Sequence, residues 1–239
     1  MAVTAFSILQ EKQDAEIKIE KLKDILLETR YDPRRMSRKK ASTDTRFLFD
    51  YLHDRSGLLA AKDKNKGKNL ISFAYRPFLD YLCAYQVSKD LSKSQPELID
   101  ELLGYMENLT WQEPILISLY LLEKFSGASF IDTFTEAAFK KLDKEKNPRG
   151  WFLLGLAIRD NTDFAPEDIK RILRELINIW IKGIEKKTAV SILQEINIFS
   201  KGGKNILNEV MKENKREDCG KISLYNQLQK LIPIHAESQ

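Results

Sequence analysis

Apolar residues recur at helical spacing through most of this chain, and the places where the period changes predict its β element. From Phe6 to Leu27 the positions Ile8, Ala15, Ile19, Leu22 and Leu26 fall mostly three, four or seven apart among Lys and Glu, which predicts an amphipathic helix. Pro33 and a Ser/Thr/Asp cluster interrupt it, so Tyr31 to Asp44 predicts a basic loop whose Asp44 caps the next helix through its side-chain oxygen. That helix, Thr45 to Asp54, sets Phe47, Leu48, Tyr51 and Leu52 on one side, carries His53 at its rim, and ends at Gly57. Two short apolar runs, Leu58 to Lys62 and Asn69 to Tyr75, then flank a turn containing Gly67 and Asn65, a β-hairpin signal. Helix, helix and hairpin in that order is the plan of a winged helix. After Pro77, Phe78, Leu82, Tyr85 and Leu91 return to helical spacing.

Beyond Ser92 the pattern is helical in short pieces with brief punctuation. The expected helices are Pro96 to Asn108, Gln112 to Phe125, Phe130 to Leu142, Gly150 to Arg159, Pro166 to Ile184, Lys187 to Phe199, Lys204 to Lys212 and Lys221 to Leu231, before a frayed tail from His235. Gly104 and Gly155 are expected to permit close helix contact. Trp111 and Trp151 stand forty residues apart, each opening an apolar helix, and Leu116 and Leu156 keep that offset, near the period of HEAT-like helical pairs. The expected fold is therefore mainly α: a winged-helix domain with a small β-hairpin over residues 1–94, then a HEAT-like α-solenoid domain over residues 95–239.

Composition narrows the function classes. With 43% hydrophobic and 31% charged residues the chain is expected to fold as a soluble protein, and its net charge of +4 is too mild to imply nucleic acid or a membrane by itself. Only two cysteines occur, Cys83 and Cys219, so a reducing, cytoplasmic setting is expected. The N-terminus does not read as a secretory signal, and no window approaches the roughly 18 apolar residues of a membrane span.

Catalytic chemistry is hard to find. Ser200-Lys-Gly-Gly-Lys-Asn lacks the first glycine of a phosphate-binding loop and follows a helical pattern, so it reads as a helix break. His53, His235, Cys83 and Cys219 are too scattered for a metal site, and no nucleophile elbow is present. Asp160, Asp163, Glu167 and Asp168 read as capping and first-turn charges of one helix. No enzyme is expected within the chain. Two basic groups could meet nucleic acid: Arg34, Arg35, Arg38, Lys39 and Lys40, and the hairpin lysines Lys62, Lys64, Lys66 and Lys68. The expected recognition helix ends in Asp50 and Asp54, which favours a solvated wing and loop over DNA.

Arg55-Ser-Gly-Leu-Leu, the hairpin, and Ile71-Ser-Phe-Ala-Tyr-Arg-Pro-Phe-Leu-Asp-Tyr-Leu-Cys-Ala-Tyr together resemble the end of the winged-helix domain of NACHT-type STAND NTPases. In that family an R-S-G-L-L turn enters the hairpin and an F-x-H-x-x-F-x-E-[FY]-x-A-A-like element leaves it. Leu109-Thr-Trp-Gln-Glu-Pro-Ile-Leu-Ile is similar to the W-x-E-x-I-x-L helix that opens the family's sensor array. The resemblance implies that an upstream domain binds ATP or ADP, that the winged helix closes over it, and that the solenoid senses a ligand or protein and controls oligomerisation. No Walker A lysine or Walker B aspartate precedes the winged helix, so the chain is expected to be the C-terminal portion of such a protein, a separated subunit or a truncated frame.

By this resemblance Tyr75 falls where the family has a histidine facing the β-phosphate, and Asp80 where it has a glutamate, which makes the two the nucleotide-sensing candidates. Tyrosine can donate a hydrogen bond to phosphate but lacks the charge that histidine switches near neutral pH. The alternative is that Phe73, Tyr75, Phe78 and Tyr81 pack the hairpin onto its helix. The implied function is the regulatory and sensor portion of a NACHT-like signalling NTPase, with a role in antiviral defence, a NTPase domain of the same or another chain as partner, and no cofactor or NTPase activity of its own. The competing expectation is a stand-alone winged-helix DNA-binding regulator whose helical half dimerises or takes a ligand.

Overall fold

A computed structural model describes residues 16–62, 70–90, 93–144 and 147–217, with positions 226 and 230. Where the helical pattern predicted one helix from Phe6 to Leu27, Glu16–Lys18 is a short strand, β1, and helix α1 runs over Ile19–Arg30. The preceding residues of that expected helix lie outside the described residues. Glu16-Ile-Lys alternates, and the strand register places Ile17 opposite Ile71, where it is buried. Sheet pairing overrides a spacing that is equally compatible with a helix.

The expected hairpin is present as β2, Leu59–Lys62, and β3, Leu70–Phe73, paired antiparallel. The sheet order is β1-β3-β2, so Ile71 is flanked by Ile17 on one side and Ala61 on the other and is fully buried. The turn expected over Asp63 to Lys68 lies outside the described residues.

Helix α2 spans Arg38–Asp50 and continues as a π-helical turn, Tyr51–Arg55, which Gly57 ends with φ +64°. The start corrects the expected loop and cap: Ser37, not Asp44, precedes the helix, and its Oγ accepts from the Lys40 backbone N–H at 3.3 Å. Asp44 therefore lies mid-helix. The loop shortens to residues 31–37, where Asp32 accepts from the Arg34 N–H at 2.9 Å and pairs with Arg35 at 3.2 Å. The earlier start also moves the buried face. Ala41, Thr45, Phe49 and Leu52, nearly one turn apart, point inward, whereas Phe47, expected inside, is 70% exposed and Tyr51 is exposed too. Phe49 packs under α1, with the Lys23 ammonium 4.5 Å from its ring centre.

Helix α3, Arg76–Ser88, follows, with Pro77 in its first turn where no N–H partner is needed. Leu79, Cys83 and Val87 form its buried stripe with Asp80 and Ala84.

The later helices fall close to their expected positions. They are α4, Gln95–Tyr105; α5, Gln112–Ser126, after a 3-10 turn at Leu109–Trp111; α6, Ala128–Leu142; α7, Arg149–Arg159; α8, Pro166–Ile181; α9, Lys186–Phe199; and α10, Lys201–Glu217. Most of the helix expected from Lys221 to Leu231, and the tail, lie outside the described residues. Helix α7 is buried from Gly150 to Ile158, which makes it the centre of its neighbours α8 and α9. A Cβ on Gly155 would come within 2.8 Å of Ile192 Cγ2 and of Leu176 Cδ1, so this glycine does permit close approach, whereas Gly104 faces open space. Trp111 stacks on Tyr105 with ring centres 4.0 Å apart, and Trp151 stacks on Phe139 at 5.6 Å. Arg171 covers Phe139 at 4.1 Å and forks onto Asp143 at 2.7 and 2.8 Å.

The described residues fall into two compact units, the first within Met1–Ser92 plus Glu113–Ser118 and the second within Lys93–Gln112 plus Leu119–Gln239. The protein is thus mainly helical with a small three-stranded sheet in its first unit. Among the described residues no helix is long and apolar enough to cross a membrane.

Candidate functional site

The start of α3 gathers both nucleotide-sensing candidates. Ala74 N–H donates to Leu58 O at 2.9 Å, which carries the chain out of β3, and Tyr75 then stands in extended conformation immediately before the helix. Its side chain is 69% exposed. Packing of the hairpin by Tyr75, the alternative from the sequence, does not occur: Phe73 is buried and meets Phe78 with ring centres 6.3 Å apart, while Tyr75 and Tyr81 face outward. Phe78, Tyr81 and Tyr85, three and four residues apart, form an exposed aromatic stripe on the side of α3 opposite its buried one, and Tyr81 stacks on Tyr85 at 6.2 Å.

Asp80 points the other way. It is buried, and its Oδ1 accepts from Arg76 Nε at 2.7 Å. Burial raises the Asp80 pKa above the ordinary aspartate value, the Arg76 charge and hydrogen bond oppose that rise, and Glu113 adds to it. Burial, with Asp80 nearby, likewise pushes the Cys83 thiol up, so Cys83 is a packing residue and not a nucleophile. Arg76 was not singled out from the sequence, although its spacing of four from Asp80 on a predicted helix is a recognised ion-pair signal.

The basic candidates divide. Arg34 and Arg35 lie in the turn before α2, and Arg38, Lys39 and Lys40 form the first turn of α2 itself, all exposed. Arg46, which the sequence reading passed over, is exposed on the same helix two turns after Lys39. Lys62 ends β2, and Lys64, Lys66 and Lys68 lie outside the described residues.

The residues set aside from the sequence are accounted for by structure. His53 stacks on Phe49 at 5.8 Å, and its Nδ1 is 2.5 Å from Asp54 Oδ1. Ser200 separates α9 from α10, and its Oγ accepts from the Gly203 N–H at 3.1 Å, so the Gly-Gly pair belongs to a helix start. Glu167 and Asp168 lie in the first turn of α8 as expected, but Asp160 follows the end of α7 and binds Arg159 at 2.7 Å, and no side chain caps α8, so the expected capping by Asp160 and Asp163 does not occur. Among the described residues no cluster of His, Cys, Asp or Glu could hold a metal ion; Cys219 and His235 lie outside them.

The second unit holds a groove of about 650 Å³ with an apolar floor of Phe152, Leu153, Leu156 and Ile192 and a rim that includes Arg149, Glu185, Lys187 and Glu195. Arg159 in its wall is held between Asp160 and Glu195, the latter at 2.9 Å, which raises its pKa further.

Residues 2–87 match the family model of the winged helix-turn-helix domain C-terminal to NACHT. No curated protein and no solved structure matches the chain. The order β1, α1, α2, β2, β3, α3 and that match agree, and the N-terminal part of this chain is a winged helix domain of the kind found C-terminal to NACHT.

Proposed function

We infer that this chain is the regulatory portion of a NACHT-type signalling NTPase, whose winged helix meets the nucleotide-bearing domain through the start and outward face of α3. The observation that carries this reading is the exposure of the Tyr75 side chain at the start of α3. The partial positive charge of a helix N-terminus suits an approaching phosphate, and a phenol can donate a hydrogen bond to it. The exposed Phe78, Tyr81 and Tyr85 stripe beside it suits a protein partner, since aromatic rings combine apolar area with polar edges.

In this reading ATP or ADP belongs to the NTPase domain, the chain performs no hydrolysis itself, and the protein works in the cytoplasm. The second unit is a HEAT-like array that senses a ligand or protein. The Trp111–Tyr105 and Trp151–Phe139 stacks support it, because each tryptophan joins the start of a helix to the helix before it in an equivalent way.

The test is ADP affinity of the chain assembled with its NACHT domain, measured by calorimetry on wild type and Tyr75→Phe, which removes only the hydroxyl. A hydrogen bond to a charged acceptor is worth about 1.5–3 kcal/mol, so ADP is expected to bind at least about tenfold more weakly to the variant. Unchanged affinity would remove Tyr75 from the nucleotide.

A further inference from the structure

The groove of about 650 Å³ lies within the second unit, between one face of α7 and one face of α9. A Cβ on Gly155 would meet Ile192, and Arg159 reaches Glu195 at 2.9 Å, so the two helices advance in the same direction and begin at the same end. Arg149 and Arg159, at the first and last positions of α7, mark the two ends of the groove, about 15 Å apart along the helix. Phe152, Leu153, Leu156 and Ile192 make the floor between them, and the exposed Leu109 adds an apolar wall.

The two ends differ in how their charges are balanced. At the far end Arg159 Nε donates to Asp160 at 2.7 Å and its Nη1 to Glu195 at 2.9 Å, while Ser191 Oγ donates to the second Glu195 oxygen at 3.1 Å, so cation and carboxylates satisfy one another. At the near end stand Arg149, Lys187 and Glu185. Arg149 gives one N–H to the Glu107 carbonyl at 3.2 Å, and Glu185 accepts from the Thr188 hydroxyl at 3.5 Å. Among the described residues neither Arg149 nor Lys187 has a carboxylate within ion-pair distance. Two cations against one carboxylate leave this end a single net positive charge beside an apolar floor. Grooves of about 300–1,000 Å³ with a few convergent polar groups suit small ligands, and the charge count selects a monoanion over a phosphate monoester, whose charge is nearly twice as large. We propose that the groove binds a small carboxylate with an apolar chain, the chain lying along Phe152, Leu156 and Ile192 and the carboxylate held between Arg149 and Lys187. A guanidinium can fork onto a carboxylate, and Lys187 adds a mobile point charge. This names a ligand class for the sensor reading of the second unit and rests on that reading for its role, while binding itself rests on the groove.

Decanoate is titrated into the full chain below its micelle concentration and followed by calorimetry. Decyltrimethylammonium, the same chain on a cation, and a peptide of alternating leucine and aspartate serve as comparisons. One decanoate per chain is expected, with neither comparison binding as tightly. The double variant Arg149→Gln, Lys187→Gln is expected to bind decanoate about tenfold more weakly, and Glu185→Gln, which removes the opposing charge, about threefold more tightly. Leu109→Ala is expected to weaken binding about fivefold through lost apolar contact. All four side chains are exposed, so thermal melts are expected to stay close to wild type, and affinity changes of opposite sign are then not a loss of fold. Absence of decanoate binding, equal binding of decyltrimethylammonium, several decanoates per chain, preference for the peptide, or variants that leave affinity unchanged would overturn the proposal. The sensor reading fails separately: ATP hydrolysis by the chain assembled with its NACHT domain, unmoved by saturating decanoate, would remove sensing while binding of one decanoate per chain stood.

Discussion

Arg76 Nε donates to Oδ1 of Asp80 at 2.7 Å, and the two ends of that bond differ in environment: the carboxylate is 4% exposed while the guanidinium side is partly open to solvent. Burial is the largest influence on Asp80 and raises its pKa, so the folded state holds the proton more tightly than the unfolded chain, whose aspartate titrates near 3.8. The stabilisation this confers is fullest below that value and is lost as pH rises through the higher folded pKa. Asp80→Asn keeps an acceptor for Arg76 and cannot ionise. It is expected to flatten the loss of stability that begins as pH rises above the ordinary aspartate range, as measured by urea unfolding. An undiminished slope in the variant would show that Asp80 is not its source.

Gly155 and Gly104 should respond oppositely to alanine. A methyl at Gly155 meets Ile192 and Leu176 at 2.8 Å, and overpacking of this kind costs about 1–3 kcal/mol. A methyl at Gly104 meets nothing within 4 Å near the end of α4, and the gain in helix propensity should stabilise by up to about 1 kcal/mol. Thermal melts of the two variants decide it, and a stabilised Gly155→Ala would mean that α7 does not approach α8 and α9 as closely as described.

Trp111 is buried against Tyr105, whereas its neighbour Leu109 is largely exposed. Trp111→Ala is expected to cost about 3–5 kcal/mol, the range for a large aromatic removed from a core. Leu109→Ala is expected to stay within about 0.5 kcal/mol of wild type, as exposed substitutions do. Comparable losses for the two in chemical denaturation would place Leu109 in a core that its exposure excludes.

The helix start at Ser37 can be separated from the one the sequence suggested. Ser37→Ala removes the acceptor for the Lys40 N–H and is expected to cost about 1 kcal/mol. Asp44→Ala, inside α2, is expected to be neutral or stabilising, since alanine is the better helix former. A larger loss from Asp44→Ala than from Ser37→Ala would restore the later start.

The helices of the second unit were legible because most are amphipathic segments bounded by Pro, Gly or polar residues, α7 being instead apolar along its length and buried from Gly150 to Ile158, and both the pattern and the punctuation are local properties of the chain. The hairpin was legible for the same reason. At Glu16–Lys18 the local pattern was ambiguous, and pairing with β3, more than fifty residues away, decided for strand. At α2 two polar residues, Ser37 and Asp44, could each cap a helix, and the choice fell to the face that buries Ala41, Thr45 and Phe49 together.

The candidate site divides along the same line. Sequence by itself determined the winged-helix plan and the helical second half, while Tyr75 and Asp80 became candidates through a family resemblance. Only the tertiary structure decided that Tyr75 faces out while Asp80 is buried on Arg76, and that the basic run begins a helix instead of a loop. Spacing sets which residues share a helix face, but which face is buried depends on surfaces supplied by distant parts of the chain.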